Sequence, residues 1–198
     1  MKELQFWYEF ASPYSYISMM RIGDIAEQVG VEVHYQPFLL GPIFKDFGWE
    51  LSPFITYPEK GRYFFRDIQR EAAAYGLPLT MPAEFPQRGL LAARTALVGM
   101  EEGWGVAFSQ AVYVRQFSEG LSISGEEDIG FILESMEMGE VGGILARAQS
   151  DEIKGKLFKI TDQAKALGII GAPSFIAREE LFWGNDRLER AFQYALGY

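Results

Sequence analysis

Residues 4 to 10 alternate strictly, with Leu4, Phe6, Tyr8 and Phe10 on one face and Gln5, Trp7 and Glu9 on the other. A period of two built from aromatic and aliphatic residues reads as a β-strand. The strand runs straight into Ala11-Ser12-Pro13, where a hydroxyl residue before a proline is the pairing expected of a helix N-cap and its first helical position. Tyr16, Ile17, Met20, Ile22, Ile25 and Val29 then recur at helical spacing until Gly30, and residues 31–38 are β-like again. Strand, helix and strand in immediate succession restrict the opening to two parallel neighbours joined by a right-handed crossover.

Beyond Gly41 the strand signals nearly vanish until about Gly168. Helical patterns occupy residues 60–75, 87–99, 105–118, 126–136, 141–148 and 151–167. The end of the chain returns to β character at residues 173–177. A charged turn follows at Arg178-Glu179-Glu180, then a short strand at 181–183 and a helix over 186–196. The expected fold is therefore α/β, a thioredoxin-like arrangement with a large all-helical insertion: residues 1–42 and 168–198 form the thioredoxin-like domain, and residues 43–167 the insertion.

Composition removes several classes of function. Hydrophobic residues are 48% of the 198, ample for one well-buried core. The net charge is −9 and the 18 basic residues are scattered, so no phosphate-backbone footprint exists and no nucleic-acid partner is expected. The first residues lack a basic region followed by an apolar run, and no window has the length of a membrane span. A soluble, cytoplasmic protein with no membrane partner is expected. There are no cysteines, which excludes disulfides, zinc-thiolate centres and dithiol exchange. His34, the only histidine, falls on the second strand, so a Ser-His-Asp triad or a histidine-based metal site has little support, and no metal is expected.

Three patches carry chemistry, each with a plainer alternative. Ser12 sits where unsatisfied N–H groups and the helix dipole favour a thiolate or carboxylate; its hydroxyl either caps the helix or donates to a sulfur anion. Ala172-Pro173 immediately precedes a strand; it is either an ordinary loop proline or a cis bond that leaves Ala172 at a sheet edge able to pair with a peptide-like ligand. Asp186 and Glu189 have the spacing of a capping pair, yet Asp186 could equally hold an ammonium group while the helix N–H groups near Asn185 and Asp186 hold a carboxylate. A fourth cluster, around Lys45 with Lys60, Arg62 and Arg66 downstream, offers cations where the insertion begins, although most such charges solvate a helix face.

Phe10-Ala11-Ser12-Pro13-Tyr14-Ser15-Tyr16, then Leu40-Gly41-Pro42-Ile43-Phe44-Lys45-Asp46, Gly171-Ala172-Pro173-Ser174 and Phe182-Trp183-Gly184-Asn185-Asp186-Arg187-Leu188 together resemble the 2-hydroxychromene-2-carboxylate isomerases and kappa-class glutathione transferases. The resemblance spans the whole chain in order. It implies the disulfide-oxidoreductase branch of the thioredoxin fold, with serine where redox relatives carry cysteine. Ser12 would be the catalytic residue and touch glutathione, the cosubstrate. Ala172 and cis-Pro173 would pair with the cysteinyl part of glutathione, and Asn185 and Asp186 would receive its γ-glutamyl head. Lys45 would lie toward the second substrate or the glycyl end, and a homodimer is implied. The family often has asparagine in a Gly-Asn-x-Pro-Pro context, whereas this chain reads Gly48-Trp49-Glu50-Leu51-Ser52-Pro53. Trp49 is then expected to present an apolar wall to an aromatic substrate.

The reading that follows is glutathione-dependent isomerisation of an aromatic keto acid. Thiolate adds reversibly to a conjugated double bond, rotation follows, and the thiolate leaves. Release of the adduct would make the same site a transferase. A non-catalytic glutathione- or peptide-binding module is the alternative of another class, favoured by the Trp49 departure. A dithiol oxidoreductase fails on the missing cysteines.

Overall fold

A computed structural model of the protein describes residues 2–49 and 56–198. Strand β1 (Glu3–Tyr8) feeds α1 (Pro13–Val29) and β2 (Glu32–Pro37). The helix starts where the residues dictate: Ser12 is the N-cap and accepts from Ser15 N at 3.2 Å, with Pro13 at the first helical position. It stops at Gly30, whose φ of 66° is a left-handed conformation that glycine adopts without penalty.

Among the described residues seven helices follow: α2 (Leu40–Asp46), α3 (Pro58–Ala74), α4 (Leu90–Glu102), α5 (Gly105–Tyr113), α6 (Glu126–Ser135), α7 (Val141–Ala148) and α8 (Asp151–Ala166). A π-helical turn at Val114–Ser118 extends α5. The chain closes with β3 (Ser174–Ala177), β4 (Glu180–Trp183), a 3-10 turn (Asn185–Arg187) and α9 (Leu188–Leu196). The strand order is β2-β1-β3-β4, with β1 parallel to β2 and antiparallel to β3, and β3 antiparallel to β4. This is the thioredoxin-like α/β arrangement expected, with helices filling the described residues between β2 and β3. Among the described residues no helix is long and apolar enough to cross a membrane.

Both faces of the sheet are covered. Leu4, Phe6 and Tyr8 of β1 belong to a cluster that runs through Ile17 of α1 and Phe192 of α9 into Ile68 of α3, Val98 of α4 and Phe108 of α5. Packing is thus continuous across positions 42 and 168. On the other face Trp7 is fully buried with Phe38, Ile43 of α2, Ala164 of α8, Ile169 and Ile176. An alternating pattern by itself suits a sheet wetted on one side; here α2 and α8 cover the second face, so Trp7 and Ile176 are buried on it as well. Helix α2 was not evident from periodicity, because seven residues are barely two turns and Gly41 and Pro42 obscure its start.

Helices α4 and α5 approach through glycine. A Cβ on Gly105 would lie 2.4 Å from Met100 N and 2.8 Å from Ala96 O, both backbone atoms that cannot step aside. Gly105→Ala should therefore lower stability by about 1–3 kcal/mol, read as a reduced urea midpoint with an unchanged slope.

Candidate active site

Ser12 lies four residues past the end of β1 and is nearly buried. Its Oγ accepts from Ser15 N and donates to Ala172 O at 2.8 Å, so the single hydroxyl proton is directed across 160 residues to the segment before β3. The Ala172-Pro173 bond is cis. Gly184 N donates to Pro173 O at 3.0 Å, and Ser174 Oγ donates to Gly171 O at 2.8 Å. The Ala172 N–H meets no acceptor among the described residues. Trp183 lies against Gly171, where a Cβ would come 2.3 Å from its Nε1; only glycine lets the indole close that side.

These residues border a cleft of about 1390 Å³. Clefts for a single small ligand run to roughly 1,000 Å³, so this one has room for two molecules side by side. Its aromatic lining is Tyr14, Phe44, Trp49, Tyr63, Phe64 and Trp183. Trp49 stacks with Phe44 and Phe47 at centroid distances of 5.5 and 5.4 Å. The charged lining is Glu9, Glu59, Asp67, Glu71 and Asp186 against Lys60 and Arg187. Tyr14 donates to Asp67 Oδ2 at 2.6 Å; burial first, then this bond, pushes the phenol above its ordinary range.

Asn185 borders the cleft but its side chain is committed to the protein. Its Oδ1 accepts from Ser18 Oγ (3.0 Å) and Arg21 Nη1 (3.2 Å), and its Nδ2 donates to Glu71 Oε2 (3.1 Å), tying α1, α3 and the 3-10 turn together. Arg21 also pairs with Glu189 and lies 3.4 Å over the Tyr75 ring. Glu189 is thereby drawn to α1, and the 3-10 turn and α9 have no side-chain cap, so Asp186 and Glu189 do not form a capping pair. Asp186 is exposed and pairs with Arg187 at 2.9 Å.

A DSBA-like thioredoxin domain profile matches residues 3–197. The chain belongs to that family. This DsbA-like chain is 28% identical to a 2-hydroxychromene-2-carboxylate isomerase of Sphingobium xenophagum over 196 residues, covering 98% of both chains. It is 25% identical to glutathione S-transferase kappa 1 of Rattus norvegicus over 207 residues, covering 98% of this chain and 90% of the rat protein. In structure it resembles a 2-hydroxychromene-2-carboxylate isomerase with a TM-score of 0.88 at 23% identity, covering 98% of this chain and 94% of the other.

Of the residues singled out from sequence, the DsbA-like fold brings Ser12, Trp49, Ala172, Pro173, Asn185 and Asp186 to one cleft. Lys45 is exposed on α2 and is not among the lining residues; Lys60 and Arg187 are the cations that reach the cleft. Glu50, Leu51, Ser52 and Pro53, which follow Trp49 in the segment singled out from sequence, lie outside the described residues. The sequence reading did not single out Glu9, Tyr14, Asp67 or Glu71. For Glu9 the one available signal was its place three residues before Ser12, and its strand register alone assigned it to the outer face. As for a metal, exposed Glu3 and Glu32 and half-buried His34 bring donor atoms within 4.8 Å of one another where β1 and β2 begin, apart from the cleft-lining residues and without a fully buried ligand to organise them.

Glu9 Oε2 accepts from Ala11 N at 2.9 Å, yet burial outweighs that bond and pushes the carboxyl up to about 8. A carboxyl raised from 4.5 to about 8 binds its proton more tightly in the folded chain, so its contribution is fully present below 4.5 and is lost as pH rises to about 8. Glu9→Gln should flatten that decline, measured as urea stability against pH. Separately, Asn185→Ala strands Ser18, Arg21 and Glu71 and should cost about 1–3 kcal/mol in the same assay at neutral pH.

Proposed function

We propose that the cleft binds glutathione and uses it to isomerise a conjugated aromatic keto acid. The observation that carries this reading is the Ser12 hydroxyl at the N-terminus of α1, bonded to the carbonyl of a residue whose own N–H is open. An anion-stabilising hydroxyl beside a vacant peptide edge suits a cysteinyl group: main-chain atoms of Ala172 pair with its peptide, and the sulfur falls near Ser12 and the helix terminus. A cysteinyl N–H that takes over Ala172 O releases the Ser12 proton toward the sulfur, favouring thiolate, the nucleophilic form. Without cysteine the site cannot form a mixed disulfide, so a bound thiol stays free to attack carbon.

The curated relatives named as a 2-hydroxychromene-2-carboxylate isomerase and a glutathione transferase support this choice of chemistry. Asp186, exposed at the cleft rim beside the 3-10 turn, takes the γ-glutamyl ammonium, and Asn185 contributes through position rather than through its occupied side chain. Trp49 and the other rings form the apolar wall for the second substrate. The thiolate adds to the carbon β to the substrate carbonyl, the former double bond rotates, and loss of thiolate restores conjugation with glutathione unchanged. The glutathione transferase relative supports a second reading of the same cleft: a transferase in which the adduct is released.

Isothermal titration with reduced glutathione should show saturable binding. Asp186→Ala should weaken it about 10- to 100-fold, the loss of one charge-assisted hydrogen bond. Ser12→Ala should keep binding but lose the ultraviolet thiolate absorbance of the bound thiol. No heat and no thermal shift at millimolar glutathione would overturn the reading.

A further inference from the structure

The isomerisation moves an electron pair onto a carbonyl oxygen and back, and Ser12, occupied with sulfur, has no proton left for that oxygen. Among the titratable residues that border the cleft, Glu9 is the one whose main chain is bonded to that of Ser12. Glu9 directly follows β1, and its main-chain oxygen accepts from Ser12 N at 3.0 Å and from the Tyr113 hydroxyl at 2.9 Å. Its carboxylate folds back onto Ala11 N through Oε2. Oε1 accepts from no group among the described residues; it lies 3.5 Å from where a Cβ on Gly89 would be, so glycine at 89 leaves it room. Glu9 thus borders the same cleft as Ser12, Pro86 and Gln87, held by both backbone and side chain to Ser12 and Ala11, the two residues just before α1.

We propose that Glu9 is a catalytic acid–base residue of this site, handing a proton from its carboxyl group to the enolate oxygen of the glutathione adduct and then taking it back. The assignment rests on the glutathione reading above and deepens it. As the sulfur forms its bond to the β-carbon, the π pair of the double bond shifts to join the α-carbon and the carbonyl carbon. The carbonyl pair moves to oxygen, which takes the Glu9 proton. After rotation about the new single bond the Glu9 carboxylate removes that proton, the carbonyl and the original double bond reform, and the C–S pair leaves on sulfur. No proton or electron is gained or lost, so the net change is geometry alone.

The surroundings suit the role. Burial is the leading influence on the carboxyl, and no cation is among the causes of its shift. The titratable neighbour on α5 is Tyr113, itself held neutral far above its ordinary range by burial. From residues 86–89 come Pro86, Gln87 and Gly89, and from the α1 turn come Ala11 and Ser12, none of them charged. The acid is therefore protonated at neutral pH, as a donor must be, and weak enough to be restored within the cycle.

The test is steady-state turnover of a benzylidenepyruvate-type substrate with saturating glutathione by the wild-type chain, Glu9→Gln and Glu9→Asp, across pH. Glu9→Gln keeps the size of the side chain and an oxygen for Ala11 N. It should bind glutathione and form thiolate as the wild type does, yet lose about 100-fold or more in kcat, with the alkaline fall in rate near pH 8 removed. Glu9→Asp should recover part of the rate and retain that fall. Unchanged kcat and an unaltered alkaline limb in Glu9→Gln would overturn the assignment while leaving glutathione chemistry intact. Loss of glutathione binding in Glu9→Gln would also overturn it, by showing a structural role. A wild-type chain that neither binds glutathione nor turns over would remove the parent reading and this one together, a result seen before any substitution is made.

Discussion

The hydrogen bond from Ser12 Oγ to Ala172 O joins the beginning of α1 to the loop before β3, and the cleft exists because those two points meet. Sheet topology forces the meeting. β1 is central, and its antiparallel pairing with β3 places Trp7 opposite Ser174, so the end of one strand adjoins the start of the other. β4 returns antiparallel and brings Trp183 opposite Ser174 at the same end. β2, parallel to β1, delivers Pro37 there too, followed by α2 and Phe44. Four strand ends converge on one rim, and residues just beyond them, together with α3, Pro86 and Gln87, line the cleft.

Holding that rim open requires that the surrounding polar groups be satisfied elsewhere, because an unpaired group in a partly buried site is costly. Asn185 does much of this. Its amide bonds Ser18, Arg21 and Glu71, so the turn that presents Asp186 is fixed to α1 and α3. Asp186 is left exposed with Arg187 as its ion-pair partner, accessible to solvent and ligand alike. Glu9 is the contrary case: one oxygen is bonded to Ala11 N, the other is unbonded, and burial leaves the group neutral. Paired groups hold the frame, and the incompletely paired ones, the Glu9 carboxyl and the Ala172 N–H, belong to residues that line the cleft.

Much of this was legible along the chain. Ser12 was readable because capping is local: a hydroxyl, a proline and an apolar period lie within a few residues. The two cis-proline-loop residues and the Trp183–Asp186 turn were readable because glycine and proline leave local marks. Lys45 is not among the lining residues, and its place was not legible, since a cation near the right motif says nothing of which way a short helix turns. Glu9, Asp67 and Glu71 gave no local mark, because a carboxylate on a strand end or helix face is ordinary until something buries it. The same limit hid the fate of Trp7, whose alternation is equally compatible with water or with α2 and α8 above it.

The sequence by itself determined the order and type of the main elements, the opening and closing of α1, and the exclusion of thiol exchange, because these depend on hydrogen-bond partners and residue types within a few positions. Only the tertiary structure decided which charges are buried, which carboxylate holds Arg21 and which stays exposed, and that Lys60 and Arg187 rather than Lys45 reach the cleft. Those outcomes depend on desolvation and on partners as distant as 168 residues along the chain, and no local pattern encodes either.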